Sequence, residues 1–147
     1  MMRTSSLLPF AALLTLGAAP ASAPRELCAT PGRTATHYCT PLFFYEDSVE
    51  IAPAAAPLLD LAIGAIEDNP GASVVVAGYT DAVRSPPATV AMSQRMAQSA
   101  RDYLVQHGVD PATITTEAYG SANPRVPNTP GKAEPENRRV EIWVMWK

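Results

Sequence analysis

The run from Val140 to Trp146 constrains the fold more than any other part of the chain. Val140, Ile142, Val144 and Trp146 alternate with Glu141, Trp143 and Met145, and a period of two describes a strand with two unlike faces. Such a strand needs a cover for its apolar face, and the preceding sequence supplies candidates. Leu42-Phe43-Phe44-Tyr45 is an aromatic run of strand character, in a domain predicted to begin at Pro41. From Pro53 to Asp68, the residues Leu58, Ala62, Ala65 and Ile66 fall on one face of an amphipathic helix that Asn69-Pro70-Gly71 ends. Pro57 delays the regular helix or kinks its first turn. Ser73 to Ala77 is a short β-branched strand between Gly71 and Gly78. Arg84-Ser85-Pro86-Pro87 reads as a loop. Thr89 then caps a helix that runs to about His107, with Gly108 as its stop. Its core stripe is Met92, Met96 or Ala97, Ala100 and Leu104. After Pro111, Thr113 to Thr116 reads as a strand, and the Pro-rich stretch from Ala122 to Glu136 as a long loop. The order β-α-β-α-β-β predicts an α+β fold, a two-layer sandwich with both helices packed on one side of a mixed sheet.

A chain of 147 residues allows one domain of modest core. The first 23 residues stand apart from it. Arg3 gives a positive start, Leu7 to Ala19 is almost unbroken apolar sequence, and small residues close the segment at Ala19-Pro20-Ala21 or Ala21-Ser22-Ala23. Roughly 13 apolar residues fall short of the ~20 of a spanning helix, so residues 1–23 read as a secretory signal peptide. An uncleaved anchor is the alternative. The mature chain is predicted to begin at Ser22 or Pro24 and to hold no second membrane segment. Residues 24–40 then form an irregular leader, and residues 41–147 the domain. Cys28 and Cys39, in that leader, read as a disulfide in an oxidising compartment. On the chain-entropy model a loop of this size contributes about 3 kcal/mol. Lipid attachment at Cys28 competes with this reading, but Leu27 stands where a small residue is usual. A metal site would have Cys28, His37 and Cys39 with no fourth ligand nearby.

Charge and motif content narrow the function classes. The net charge is −3, and no basic cluster exceeds Arg138-Arg139, so nucleic acid is not a predicted partner. No HExxH, GxSxG or GxGxxG is present, and no enzyme activity or cofactor is predicted. His107 sits where a cation favours a helix C-terminus, a capping role. Asp81 follows a strand end and opens a loop, which suits either an Asx turn or a binding residue.

Three stretches together settle more than Asp81 does alone. GYTD at 78–81, MSQRMAQSARDYLVQHGV at 92–109 and NRRVEIWV at 137–144 resemble, in order and spacing, the C-terminal peptidoglycan-binding domain of the OmpA-like family, across roughly Phe43 to Trp146. The family pattern runs GHTD, then LSxxRA, then NRRVE. In that family the Asp of GHTD contacts the ammonium of diaminopimelate in the stem peptide, and the Arg of LSxxRA grips its carboxylate. A zwitterionic centre asks for one anion and one forked cation at fixed separation. The resemblance therefore implies a ligand set of Asp81, Thr80 and Arg138, with Asp47 as a polar contact from the loop after the first strand and Thr89 in place of the usual Asn.

The departures are specific. The family's separation of fifteen residues from that Asp to that Arg leads from Asp81 to Met96. Tyr79 replaces the His of GHTD, and Ala133-Glu134 replace a Gly-Arg before NRRVE. Arg95 points about 100° away around the helix; Arg84, in the loop after Asp81, could reach in from outside. Loss of one charge-assisted contact of ~1.5–3 kcal/mol implies a site roughly 10- to 150-fold weaker. The implied function is non-covalent binding of peptidoglycan or muropeptides in the periplasm, at the cell wall or outer membrane. The rival is an adaptor that keeps the fold and docks to another envelope protein.

Overall fold

The computed structural model describes Cys28 and residues 31–147. The signal peptide expected over residues 1–23 and its cleavage position lie outside those residues. The chain runs β1 (Gly32–Arg33), β2 (His37–Phe43), α1 (Ala56–Glu67), β3 (Ser73–Tyr79), α2 (Pro86–Gln106), β4 (Ile114–Ala118) and β5 (Arg139–Met145). The sheet order is β1-β2-β5-β3-β4. β5, last in sequence, lies between β2 and β3 and is antiparallel to both, while β4 runs parallel to β3. Apart from the two-residue β1, this is the mixed sheet and element order that the sequence predicts.

Register explains why β5 alternates. Val140, Ile142 and Val144 pair with Gly78, Val76 and Val74 of β3 and with Leu42, Thr40 and Tyr38 of β2. One face of the sheet is thereby aliphatic, and both helices lie on it. α1 contributes Leu59, Ala62 and Ala65, and α2 contributes Met96, Ala97, Ala100 and Leu104, all buried. Each buried Leu or Val adds about 1.5–3 kcal/mol relative to exposure. Met92, Leu58 and Ile66, expected within the stripes, pack at their margins and are only partly buried. Gly78 sets how close α2 comes: a Cβ there would lie 2.0 Å from the Ser93 carbonyl oxygen. The helix rests almost on the strand backbone, which brings the end of β3 against the first turns of α2.

Three local expectations need correction. Strand structure begins before Pro41: Gly32–Arg33 pairs as β1, β2 starts at His37, and Cys39 lies within β2. Pro41 is tolerated inside the strand because β1 covers only Tyr38 and Cys39, leaving the rest of that edge open. Pro86 and Pro87 are helical, at the start of α2. The first-turn N–H groups of a helix have no intrahelical acceptor, so two prolines there forfeit nothing. Ser85, not Thr89, occupies the N-cap position; the Thr89 hydroxyl instead donates to the Pro86 carbonyl at 2.7 Å. Pro57 does delay its helix: a single 3-10 turn, Pro53–Ala55, precedes α1.

The face away from the helices is buried as well. Cys28, Cys39, Val75, Ala77, Tyr79 and Trp143 form a second cluster, and the expected Cys28–Cys39 disulfide is present. Cys28 is 1% exposed. Beside the cluster, Arg139 and Glu141 pair at 2.9 Å with side chains 0% and 2% exposed. Trp143 Nε1 donates to Glu141 at 3.1 Å, and Arg139 Nη2 donates to the Asn123 carbonyl at 3.0 Å. No helix among the described residues is long and apolar enough to cross a membrane.

Candidate ligand-binding site

β3 ends at Tyr79, opposite Arg139 at the start of β5. The residues one step beyond this last pair, Thr80-Asp81 and Arg138, therefore meet at the same end of the sheet. Arg138 Nη1 donates to Asp81 Oδ2 at 2.8 Å, and the Glu134 backbone N–H donates to the same oxygen at 3.0 Å. Thr80 Oγ1 lies 3.4 Å from Oδ1. Arg138 Nε reaches the Phe44 carbonyl at 3.4 Å, and the Phe44 N–H donates to the Arg138 carbonyl at 2.9 Å. Asp81 and Arg138 are buried, so each charge depends on the other. Removing one partner of such a pair leaves an uncompensated charge, at a cost of about 3–5 kcal/mol.

The loop between β4 and β5 closes over this pair. Asn137, fully buried, organises it: Oδ1 accepts from the Arg125 and Val126 N–H groups at 2.8 and 2.9 Å, and Nδ2 donates to the Val126 carbonyl and to Asn128 Oδ1. The Gly131 N–H donates to the Ala82 carbonyl at 3.0 Å. Lys132 and Glu134 pair across the loop at 3.1 Å. Beside Arg138 opens a groove of about 590 Å³, walled by Phe43, Tyr45, Leu58 and Arg125 among others.

The structure brings together Thr80, Asp81 and Arg138 and sets the other expected residues apart. Asp47, with a left-handed backbone (φ 56°), forms an ion pair with Arg84 at the surface. Thr89 is buried against Gly120, where a Cβ would meet its hydroxyl at 2.7 Å. Met96, where the resemblance places a ligand-gripping cation, is 0% exposed and belongs to the helix-side core. Tyr79 lies on the other face, stacked on Tyr119 with centroids 5.1 Å apart and under the Arg139 guanidinium at 4.0 Å. His107 does cap its helix: Nδ1 lies 2.8 Å from the Tyr103 carbonyl. Sequence reasoning missed Asn137 as loop organiser, the Glu134 N–H as a donor to Asp81, and Arg84 as the partner of Asp47. The Asn of NRR was a visible signal for the first, whereas a backbone donor leaves none.

Among the described residues no group of three or more His, Cys, Asp or Glu could hold a metal ion.

Known proteins resemble this chain. A family model described as the OmpA family matches residues 43–138. The probable lipoprotein YiaD of Escherichia coli is 34% identical over 99 residues, covering 67% of this chain and 45% of its own. The peptidoglycan-associated lipoprotein of Pseudomonas putida is 32% identical over 103 residues, 70% of this chain and 61% of its own. The chain thus spans less than two thirds of the length of these relatives. Among solved structures, the OmpA-like domain of FopA1 from Francisella tularensis superposes with a TM-score of 0.67 at 23% identity, over 75% of this chain and 73% of its own; that likeness concerns the fold. A match over most of the domain, together with the mixed sheet and the two relatives, has one consequence: the chain belongs to the OmpA family.

Proposed function

We propose that this protein binds peptidoglycan non-covalently in the periplasm, through the diaminopimelate zwitterion of the stem peptide, and more weakly than a domain with the family's helix arginine. The observation that carries the reading is the juxtaposition of Asp81 and Arg138 at the end of the sheet, two residues that the sequence resemblance implies as ligand contacts. A relative named peptidoglycan-associated lipoprotein supports an association with peptidoglycan. Reduced affinity follows from two features. Met96 offers no cation, and Asp81 is already neutralised by Arg138. The role is recognition, not catalysis.

Pull-down of the mature protein on purified sacculi tests the reading directly. Met96→Arg should then strengthen muropeptide binding by roughly 1.5–3 kcal/mol, because it supplies a planar donor pair for the carboxylate. Asp81→Ala should cancel the gain. Titration calorimetry on the four combinations, with a thermal melt as control for the buried substitution, decides the matter. The burial of Met96 and the closed state of Asp81 favour a second reading, an envelope adaptor that keeps the fold and docks to another protein. Flat affinity in a folded Met96→Arg protein selects that adaptor.

A further inference from the structure

The two edges of the sheet are unlike. At the β2 edge, β1 covers Tyr38 and Cys39, and Pro41 interrupts what remains. A short covering strand and a proline both discourage a further strand from pairing. At the β4 edge, among the described residues, no strand lies beyond Ile114–Ala118. Its sequence, ITTEA, holds no proline and no lysine, and Thr115 and Thr116 are exposed. Its one charged side chain, Glu117, accepts a hydrogen bond from the Tyr119 hydroxyl at 2.6 Å.

The backbone of β4 is matched to its own copy. The Tyr119 N–H donates to the Gly78 carbonyl, and Ala118 lies opposite Gly78 in the parallel pairing with β3. With a period of two, Thr115 and Glu117 also turn their N–H and C=O groups toward β3, whereas Ile114, Thr116 and Ala118 turn theirs outward. The Ile114 N–H is given to the Pro111 carbonyl. Just past the strand, the Gly120 N–H donates to Ser93 Oγ and its carbonyl accepts from the Thr80 N–H. The outward donors are therefore Thr116 and Ala118, and the outward acceptors Ile114, Thr116 and Ala118. An antiparallel copy of β4 centred on Thr116 meets this set. Each Thr116 N–H reaches the Thr116 carbonyl of the other copy, and each Ala118 N–H the Ile114 carbonyl, four hydrogen bonds in all. A register centred on Glu117 makes as many, but it sets Glu117 against Glu117, where like charges repel. Centred on Thr116, the pairing sets Glu117 against Thr115, Ile114 against Ala118 and Thr116 against itself.

We propose that β4 is a docking edge for a second copy of this chain, paired antiparallel about Thr116. The two sheets become one, both helix layers lie on the same side of it, and the rims that hold Asp81 and Arg138 stay open at its opposite ends. A five-residue strand makes a small contact, so the dimer is weak and reversible. The proposal does not rest on the peptidoglycan reading. Sedimentation velocity of the full mature protein over a range of concentrations tests it, with amide exchange followed in parallel. The dimer should grow with concentration, and with it the protection of the Thr116 and Ala118 amides; the Thr115 and Glu117 amides, bonded to β3, should not change. Thr116→Lys should weaken the dimer about tenfold or more, because two ammonium groups then face each other. Thr115→Lys should tighten it severalfold, since each lysine meets Glu117 of the other copy. Both positions are exposed, so the thermal midpoint of dilute protein should not move and serves as the control for folding. A natural protein that stays monomeric at every concentration overturns the proposal. So does a dimer that Thr116→Lys leaves intact or that Thr115→Lys weakens.

Discussion

On its helix side the sheet buries Val74, Val76, Val140, Ile142 and Val144 under α1 and α2. On its other side the same strands bury an arginine, a glutamate and aromatic rings. The first face is held by non-directional burial, which tolerates approximate shape. The second is held by a disulfide and by hydrogen bonds that must each be made, since an unpaired charge there has no water to fall back on. β5 supplies both faces with alternate residues, so a single strand couples the aliphatic core to the polar network and, through Arg138 at its entrance, to the ligand rim. A mutation of the same size should therefore act differently on the two sides.

The largest expected effect is on the polar side. Glu141→Gln leaves the fully buried Arg139 without its anion and should cost about 3–5 kcal/mol by chemical denaturation, whereas replacing both residues with apolar ones of similar volume should come close to neutral. A single substitution no worse than the double one would mean that water enters this face. On the helix side, Leu104→Ala should cost about 2–5 kcal/mol, because the fully buried side chain leaves a cavity beneath α2. A loss below about 0.5 kcal/mol would place Leu104 outside the core.

The helix side was readable from the sequence because its signal is periodic. Spacings of two and of three to four located β5, α1 and α2 and most of the residues they bury. The polar side was not, because Glu141 alternating with valines looks like an ordinary solvent-facing position. Its partner Arg139 sits two residues earlier on the same face, but nothing local indicates that this face is covered. The start of α2 was misplaced because prolines break helices everywhere except in the first turn. The start of β2 was misplaced because Pro41 looks like a boundary. Asp81 and Arg138, 57 residues apart, became a site only through the family resemblance. Asp47–Arg84 joins two loops whose approach no pattern encodes.

Next in size is the clamp on the polar side. Replacing Cys28 and Cys39 with serine should lower stability by about 3 kcal/mol if the chain-entropy account holds. Because Cys28 packs with Val75, Ala77, Tyr79 and Trp143, the loss should also appear as faster amide exchange in β5 and β3. Exchange confined to residues near Cys28 would show that the leader covers this face without stabilising it.

The smallest effect tests the one polar flaw on the apolar side. Tyr38 Oη and Thr40 Oγ1 are buried without hydrogen-bond partners among the described residues. Burial pushes the Tyr38 phenol above its usual value of 10.0, and the neighbouring Thr40 hydroxyl opposes that shift only in part. Tyr38→Phe removes an unsatisfied hydroxyl at little change in shape, so it should be neutral or stabilise by up to about 1 kcal/mol near neutral pH. The pH dependence has a definite sign. Well below 10.0 the phenol is protonated in both states and its contribution to stability is constant. Above 10.0 the unfolded chain releases the proton first, so the natural protein loses stability until the pH passes the raised folded value. Tyr38→Phe lacks that loss, and its advantage over the natural protein should widen in denaturant titrations as the pH rises from about 9 past 10.0. An advantage that stays constant over that range would mean that the Tyr38 hydroxyl reaches water, and that the helix side of the sheet is not dry at its β2 edge.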